Sequence, residues 1–136
     1  MRNGWSIGEL ARGAGVAVET VRYYERIGLL PAPPRTQGNY RAYEPAHAAR
    51  LAFIRRSRDL GFSVDQIRAL LGLADGTDRD CAEADAIARE RLADVERKIA
   101  DLTAMKDELH DLIDHCGRST VRDCRILRSL AGRDGA

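Results

Sequence analysis

Three cysteines stand in this chain of 136 residues, at positions 81, 116 and 124. An odd count does not suggest a disulfide framework; it points to metal or reactive-thiol chemistry. The thiolate is the form that binds a soft metal, and a helix N-terminus favours it. Cys81 opens a long helical pattern, with Asp80 read as its N-cap and Glu83 completing an acidic variant of the capping box. Cys116 lies just past the end of the same pattern, beside Gly117. Cys124 falls in the first turn of a short final helix, RILRSLAG, with Asp123 read as its N-cap. The alternative is three small buried hydrophobes, which cysteines often are. The polar flanks, TDRD before Cys81 and DH before Cys116, are not core-like. His115 adjoins Cys116 and is a further candidate donor, against a reading as a solvated residue. His110 is weaker still, and His47 reads as a helix or phosphate-side residue.

The long pattern must position these thiols. Ala88, Leu92, Val95, Ile99, Leu102, Lys106, Leu109 and Ile113 follow alternating spacings of four and three, and all but Lys106 are apolar. This is a coiled-coil seam. A helix over 81–115 would be about 52 Å long. Its stripe is too long to bury on a small head, so it needs a partner helix, most simply its own copy; intramolecular packing is the alternative. Counting back from Ala88 puts Cys81 on the seam. If two copies pair antiparallel about residue 97 or 98, Cys81 of one chain meets the 114–116 region of the other. Three thiols then converge across an interface, whereas within one chain Cys81 and Cys116 are a helix length apart.

The first half reads as a compact head. Ser6 and Glu9 form a capping box, Trp5 and Leu10 a hydrophobic staple, and Ile7, Leu10, Ala11 and Ala14 one apolar face. Gly15 breaks this helix. A second begins near Val18 and stops at Gly28, with Val21 and Tyr24 facing inward and Ala17 a poor N-cap. Two short helices joined by a Gly-containing turn are a helix-turn-helix signature. PAPPRTQGNYRAYEP holds all four prolines. It reads as a small β-ribbon wing, with a turn at Gln37-Gly38-Asn39 and short strands at Tyr40 and Tyr43. Pro45 opens a third helix over 45–59 with Leu51, Phe53 and Ile54 on its buried side. Ser63 and Gln66 cap a fourth, with Ile67, Leu70 and Leu71. Residues 74–78, ADGTD, mark the boundary. The organisation expected is a head over 1–75, a dimerisation helix over 76–115, and a loop with a short helix over 116–136.

Composition narrows the function. The chain is 44% apolar and 32% charged, too apolar for a disordered one. It has no apolar run long enough to span a membrane, and MRNGWSIGEL has no secretory h-region, so a cytoplasmic protein is expected. Net charge is +1, but residues 1–72 carry +5 and residues 73–136 carry −4. The basic half could face a polyanion. Arg22, Arg26, Arg35, Arg41, Arg50, Arg55, Arg56 and Arg58 suit a grip on phosphates, and the second helix suits a major groove. The alternative is that they only solubilise. No phosphate loop, H-E-x-x-H or nucleophile elbow occurs, so an enzyme is not expected.

SIGELARGAGVAVETVRYYERIGLL, then NYRAYEP, then LAFIRRSRDLGFSVDQIRALL resembles the MerR family of transcriptional regulators over nearly the whole chain. The resemblance implies a mainly α fold, a winged helix-turn-helix head followed by a long helix forming an antiparallel coiled-coil homodimer. It implies double-stranded promoter DNA as partner, and bending and undertwisting of that DNA so that RNA polymerase engages both promoter elements. Carried over by position, Val18, Thr20, Arg22 and Tyr23 lie on the recognition helix, and Arg35, Asn39, Tyr40, Arg41 and Tyr43 on the wing. Cys81, IARERLADVERKIADLTAM, Cys116 and Cys124 look like the metal-sensing branch. The implied ligand set is Cys116 and Cys124 of one chain with the partner's Cys81. Copper(I)-type relatives usually carry Ser where this chain has Cys81. A third thiolate favours a divalent soft ion: zinc, cadmium, lead or mercury. A thiol-based redox-sensing DNA-binding regulator is the alternative.

Overall fold

The computed structural model describes residues 4–38, 40–76, 78, 80–116 and 120–132, with the side chain of Cys116 excepted. Within them the chain is helical: α1 (Ile7–Ala14), α2 (Val18–Arg26), α3 (Pro45–Asp59), α4 (Val64–Ala74), α5 (Ala82–Cys116) and α6 (Arg125–Leu130), with a 3-10 turn at Val121–Asp123. The chain divides into two compact units, Met1–Ala88 and Arg89–Ala136. Among the described residues no helix is long and apolar enough to cross a membrane.

Local chemistry starts and stops the helices of the first unit. Ser6 Oγ accepts from the Glu9 N–H at 3.1 Å and Glu9 returns the bond to the Ser6 N–H at 2.9 Å. Ser63 and Gln66 repeat the device at α4. Such a cap contributes about 1 kcal/mol. α1 ends at Gly15, whose φ of +69° suits glycine. A Cβ there would also run into the Arg55 guanidinium, which donates to the Ala14 carbonyl. α2 has no side-chain cap at Ala17; its first turn is held by the Ala17 carbonyl, which accepts from Thr20 and Val21.

α1, α2, α3 and α4 close on one core. Val21, Leu29, Leu30, Tyr43, Leu51, Ile54 and Ile67 are its most deeply buried side chains. Phe53 is not among them, contrary to expectation: it is 36% exposed. At 100° per residue it stands about 200° round the helix from Leu51, whereas Ile54 returns to the Leu51 face. Of the two places expected for His47, on a helix or on the phosphate side, it takes the first, on α3. It is buried, its Nδ1 accepts from the Glu44 N–H at 3.0 Å, and its ring meets Tyr43 edge-on at 5.4 Å.

The wing holds no strand among its described residues. Arg35 and Arg41 form an isolated antiparallel bridge, and Tyr43 pairs with Trp5 in another, through two bonds of 2.8 Å. Pro31, Pro33 and Pro34 have no N–H to give a ladder. Within the wing the Thr36 N–H donates to the Tyr40 carbonyl and the Ala42 N–H to the Pro34 carbonyl. Asn39 of the expected turn lies outside the described residues.

The second unit is built on the rest of α5. Leu92, Ile99, Leu102, Met105, Leu109 and Ile113 are each more than half exposed, while Leu112 is buried. Arg125 of α6 reaches Asp111 of α5 at 3.7 Å.

Leu51→Ala is expected to cost about 2–5 kcal/mol, and Phe53→Ala about 1 kcal/mol. Urea denaturation of both variants tests the packing; equal losses would contradict it.

Candidate DNA-contacting surface and metal centre

All four residues expected on the second helix of the head lie on α2. Val18 is half-buried against the core and Thr20 is partly exposed. Arg22 is exposed and pairs with Glu19 one turn earlier, at 2.6 Å. Tyr23 is exposed, with the Arg26 guanidinium 5.6 Å from its ring centre. Such a pair presents a flat, cationic surface. On the wing, Arg35 is exposed, and Tyr40 is 75% exposed with its backbone N–H on the Thr36 hydroxyl.

The remaining arginines divide. Arg56 and Arg58 are exposed. Arg50 donates from Nε to the Leu29 carbonyl at 2.7 Å and lies 3.6 Å from Asp75, so it ties the turn after α2 to the end of α4. Arg55 caps α1. These two hold the head together.

Tyr43 was expected on the wing surface and is instead fully buried. Its hydroxyl donates to Glu25 Oε2 at 2.5 Å and accepts from Arg41 Nη1 at 3.2 Å; the same Nη1 donates to Glu25 Oε1 at 2.7 Å. The correction follows from this triangle: a fully buried ring positions its neighbours and cannot reach a phosphate. Glu25, on α2, was not singled out in the sequence. Its partners lie 16 and 18 residues away, so no local spacing marks it. Burial, and then the bond to the Glu25 carboxylate, push the Tyr43 phenol up to about 12. The Arg41 guanidinium is raised from its usual value, first by its bond to Tyr43.

The thiols sit at helix ends. The Cys81 carbonyl accepts from the Asp85 N–H at 2.8 Å, which makes Cys81 itself the N-cap of α5. The side-chain cap of this turn is the preceding Asp80, as expected, its Oδ1 accepting from the Ala82 N–H at 3.1 Å. Cys124 likewise takes the N-cap of α6, its carbonyl accepting from the Arg128 N–H at 3.1 Å, while Asp123 belongs to the preceding 3-10 turn. Cys81 is exposed, Cys124 is half-buried, and neither is in a disulfide. Cys116 is the last residue of α5. His115 is about half exposed, with Nδ1 2.8 Å from the Asp111 carbonyl. A donor at Nδ1 leaves the Nε2 lone pair for a metal. Among the described residues no three His, Cys, Asp or Glu side chains come together as a metal cluster.

The buried phenol makes stability pH-dependent. A phenol near 10 in the unfolded chain and about 12 in the folded one favours the fold below pH 10. That contribution is lost as pH rises from 10 to 12, roughly 2–3 kcal/mol in all. Denaturant unfolding at pH 9 to 12 should show a drop that Tyr43→Phe removes; an equal drop in both proteins would contradict it.

Comparison with known proteins agrees with this architecture. The MerR HTH family regulatory protein model matches residues 5–73, and a second, described as MerR, DNA binding, matches residues 48–112. A mercuric resistance operon regulatory protein of Shigella flexneri is 42% identical over 131 residues, 96% of this chain and 90% of that one. The transcription regulator PbrR691 of Ralstonia metallidurans CH34, solved in complex with lead(II), is 44% identical, with a TM-score of 0.79 over 93% of this chain and 98% of its own. The dual-function regulator MerR of Bacillus megaterium MB1, solved with mercury(II), is 34% identical, with a TM-score of 0.72 over 93% and 99%. The chain is a transcriptional regulator and not an enzyme, and it belongs to the MerR family.

Proposed function

We propose that this regulator binds promoter DNA as a homodimer in the cytoplasm and responds to a thiophilic divalent ion: zinc, cadmium, lead or mercury. In the response it deforms the DNA so that RNA polymerase engages the promoter and metal-resistance or efflux genes are activated. One observation carries the metal site. Cys81 and Cys116 stand at the two ends of a single 35-residue helix, about 52 Å long. They cannot meet within a chain. The exposed stripe on α5 supplies the means for two chains to pair, and antiparallel pairing brings the partner's Cys81 to the Cys116–Cys124 loop.

The donor set fits such an ion. Three thiolates suit a soft divalent metal better than a monovalent one, which two satisfy. Cys116, Cys124 and the partner's Cys81 would hold it, with His115 Nε2 as a further donor. Bound there, the metal would cross-link the two chains at each end of the coiled coil. The lead(II) and mercury(II) complexes of the relatives above support the class of ion. On this reading residues 1–75 are the DNA-binding head, 76–115 the dimerisation helix and 116–136 the metal loop. Val18, Thr20, Arg22 and Tyr23 face the groove, and Arg35, Asn39, Tyr40 and Arg41 meet the backbone from the wing. Two heads then hold two half-sites while the DNA between them is deformed.

Two experiments test this. Leu102→Asp places a charge on the stripe, where burial without a partner is costly. The variant should sediment as a monomer or unfold, and lose operator binding; a folded monomer with native operator affinity would contradict the dimer. Ser at Cys81, Cys116 or Cys124 should each abolish the divalent response and leave operator binding intact. A heterodimer of Cys81→Ser and Cys116→Ser chains should recover one complete site. Metal content and thiol titration, done anaerobically, read the result. No bound metal in the heterodimer would place all ligands in one chain. No metal in the native protein, with a response to oxidants instead, would favour the redox-sensing alternative.

A further inference from the structure

Glu25 is a carboxylate on the helix proposed to face DNA, a costly place for an anion that only decorates the surface. It is not on the surface: its side chain is 10% exposed. The three bonds among Glu25, Arg41 and Tyr43 close a ring. Arg41 Nη1 uses both its hydrogens, one on Glu25 Oε1 and one on the Tyr43 oxygen, and the Tyr43 hydroxyl donates onward to Glu25 Oε2. The Nε and Nη2 groups keep three N–H donors with no partner among the described residues, on a side chain 37% exposed. Tyr43 is further fixed by its backbone pairing with Trp5 and by the His47 ring. So one carboxylate on α2 sets where the wing's Arg41 stands and which of its donors are left for a further partner.

We propose that Glu25 is a positioning residue for DNA recognition: it locks the wing to α2, so that Arg41 and the helix meet the duplex at one fixed separation. This rests on the DNA-binding reading above. The consequence is selective. A locked wing matters where helix and wing must register together on one sequence. Binding to arbitrary sequence draws on charge alone, and Glu25 subtracts from that charge.

The test uses the full-length dimer and two duplexes of equal length at one salt concentration. One is enriched from a random pool by the native protein; the other is random sequence. Glu25→Gln keeps the shape and removes the charge, and Glu25→Ala removes both. Each should weaken binding to the enriched duplex by about tenfold or more, and leave random-sequence binding within about twofold or stronger. The specificity ratio therefore falls, which lost folded protein would not cause. Equal losses on both duplexes, or an unchanged ratio, would overturn the proposal. If Glu25→Ala does not fold, Glu25→Gln decides alone. If the native protein enriches no duplex, the DNA-binding reading falls and takes this inference with it. If it enriches one and the variants keep the ratio, only this inference falls.

Discussion

A helix with an apolar stripe down most of its length cannot cover itself. α5 carries six large apolar residues, Leu92 to Ile113, each more than half in solvent. Removing that area from water is worth roughly 25 cal/mol per Å². The proposed dimer would cover the stripe with a second helix, and the proposed metal site follows from what that helix would bring. The same rigidity that separates Cys81 from Cys116 in one chain is what would make their meeting a property of two. A metal held in this way reports on the pair of chains and, through them, on the spacing of two heads.

The head solves a different problem. Its helices are short, and α2 has only nine residues. They are held by caps and cross-ties more than by length. Ser6, Ser63 and Gly15 set the ends of elements; Arg55 and Arg50 bind one element to the next through backbone carbonyls. Tyr43 joins core and wing, its ring buried beside His47 and its hydroxyl on Glu25. Arginines that look alike in the sequence thus serve two ends, some tying the fold and others presenting charge.

What was legible in the sequence was local. Both Ser capping boxes, the Pro45 start, the αL glycine after α1 and the bounds of α3 rest on residues within four of one another, and each holds in the structure. So does the long helix, within a residue at either end. For Tyr43, distance in sequence hides the partner: nothing near it marks Glu25, 18 residues earlier, as its acceptor. His47 has its partners close by, Glu44 three residues before it and Tyr43 four, but no residue type there announces an imidazole as a cap. Asp123 reads as an N-cap because it is the best capping side chain nearby, but the chain turns helical one residue later and Cys124 takes the position. Asp80, read in the same way, does cap the first turn of α5 with its side chain. Of the candidate metal ligands, residue type and spacing could be read; the interface that would gather them is not a property of one chain.

The cross-chain register is the central claim, and short-reach thiol cross-linking measures it most directly. The metal-free dimer, with Cys124 replaced by Ser, would be treated with a bis-maleimide spanning about two helix turns. Peptide mass spectrometry should then find Cys81 of one chain joined to Cys116 of an isotope-labelled other. Cys81 joined to Cys81, and Cys116 to Cys116, would mean parallel helices and would contradict the account.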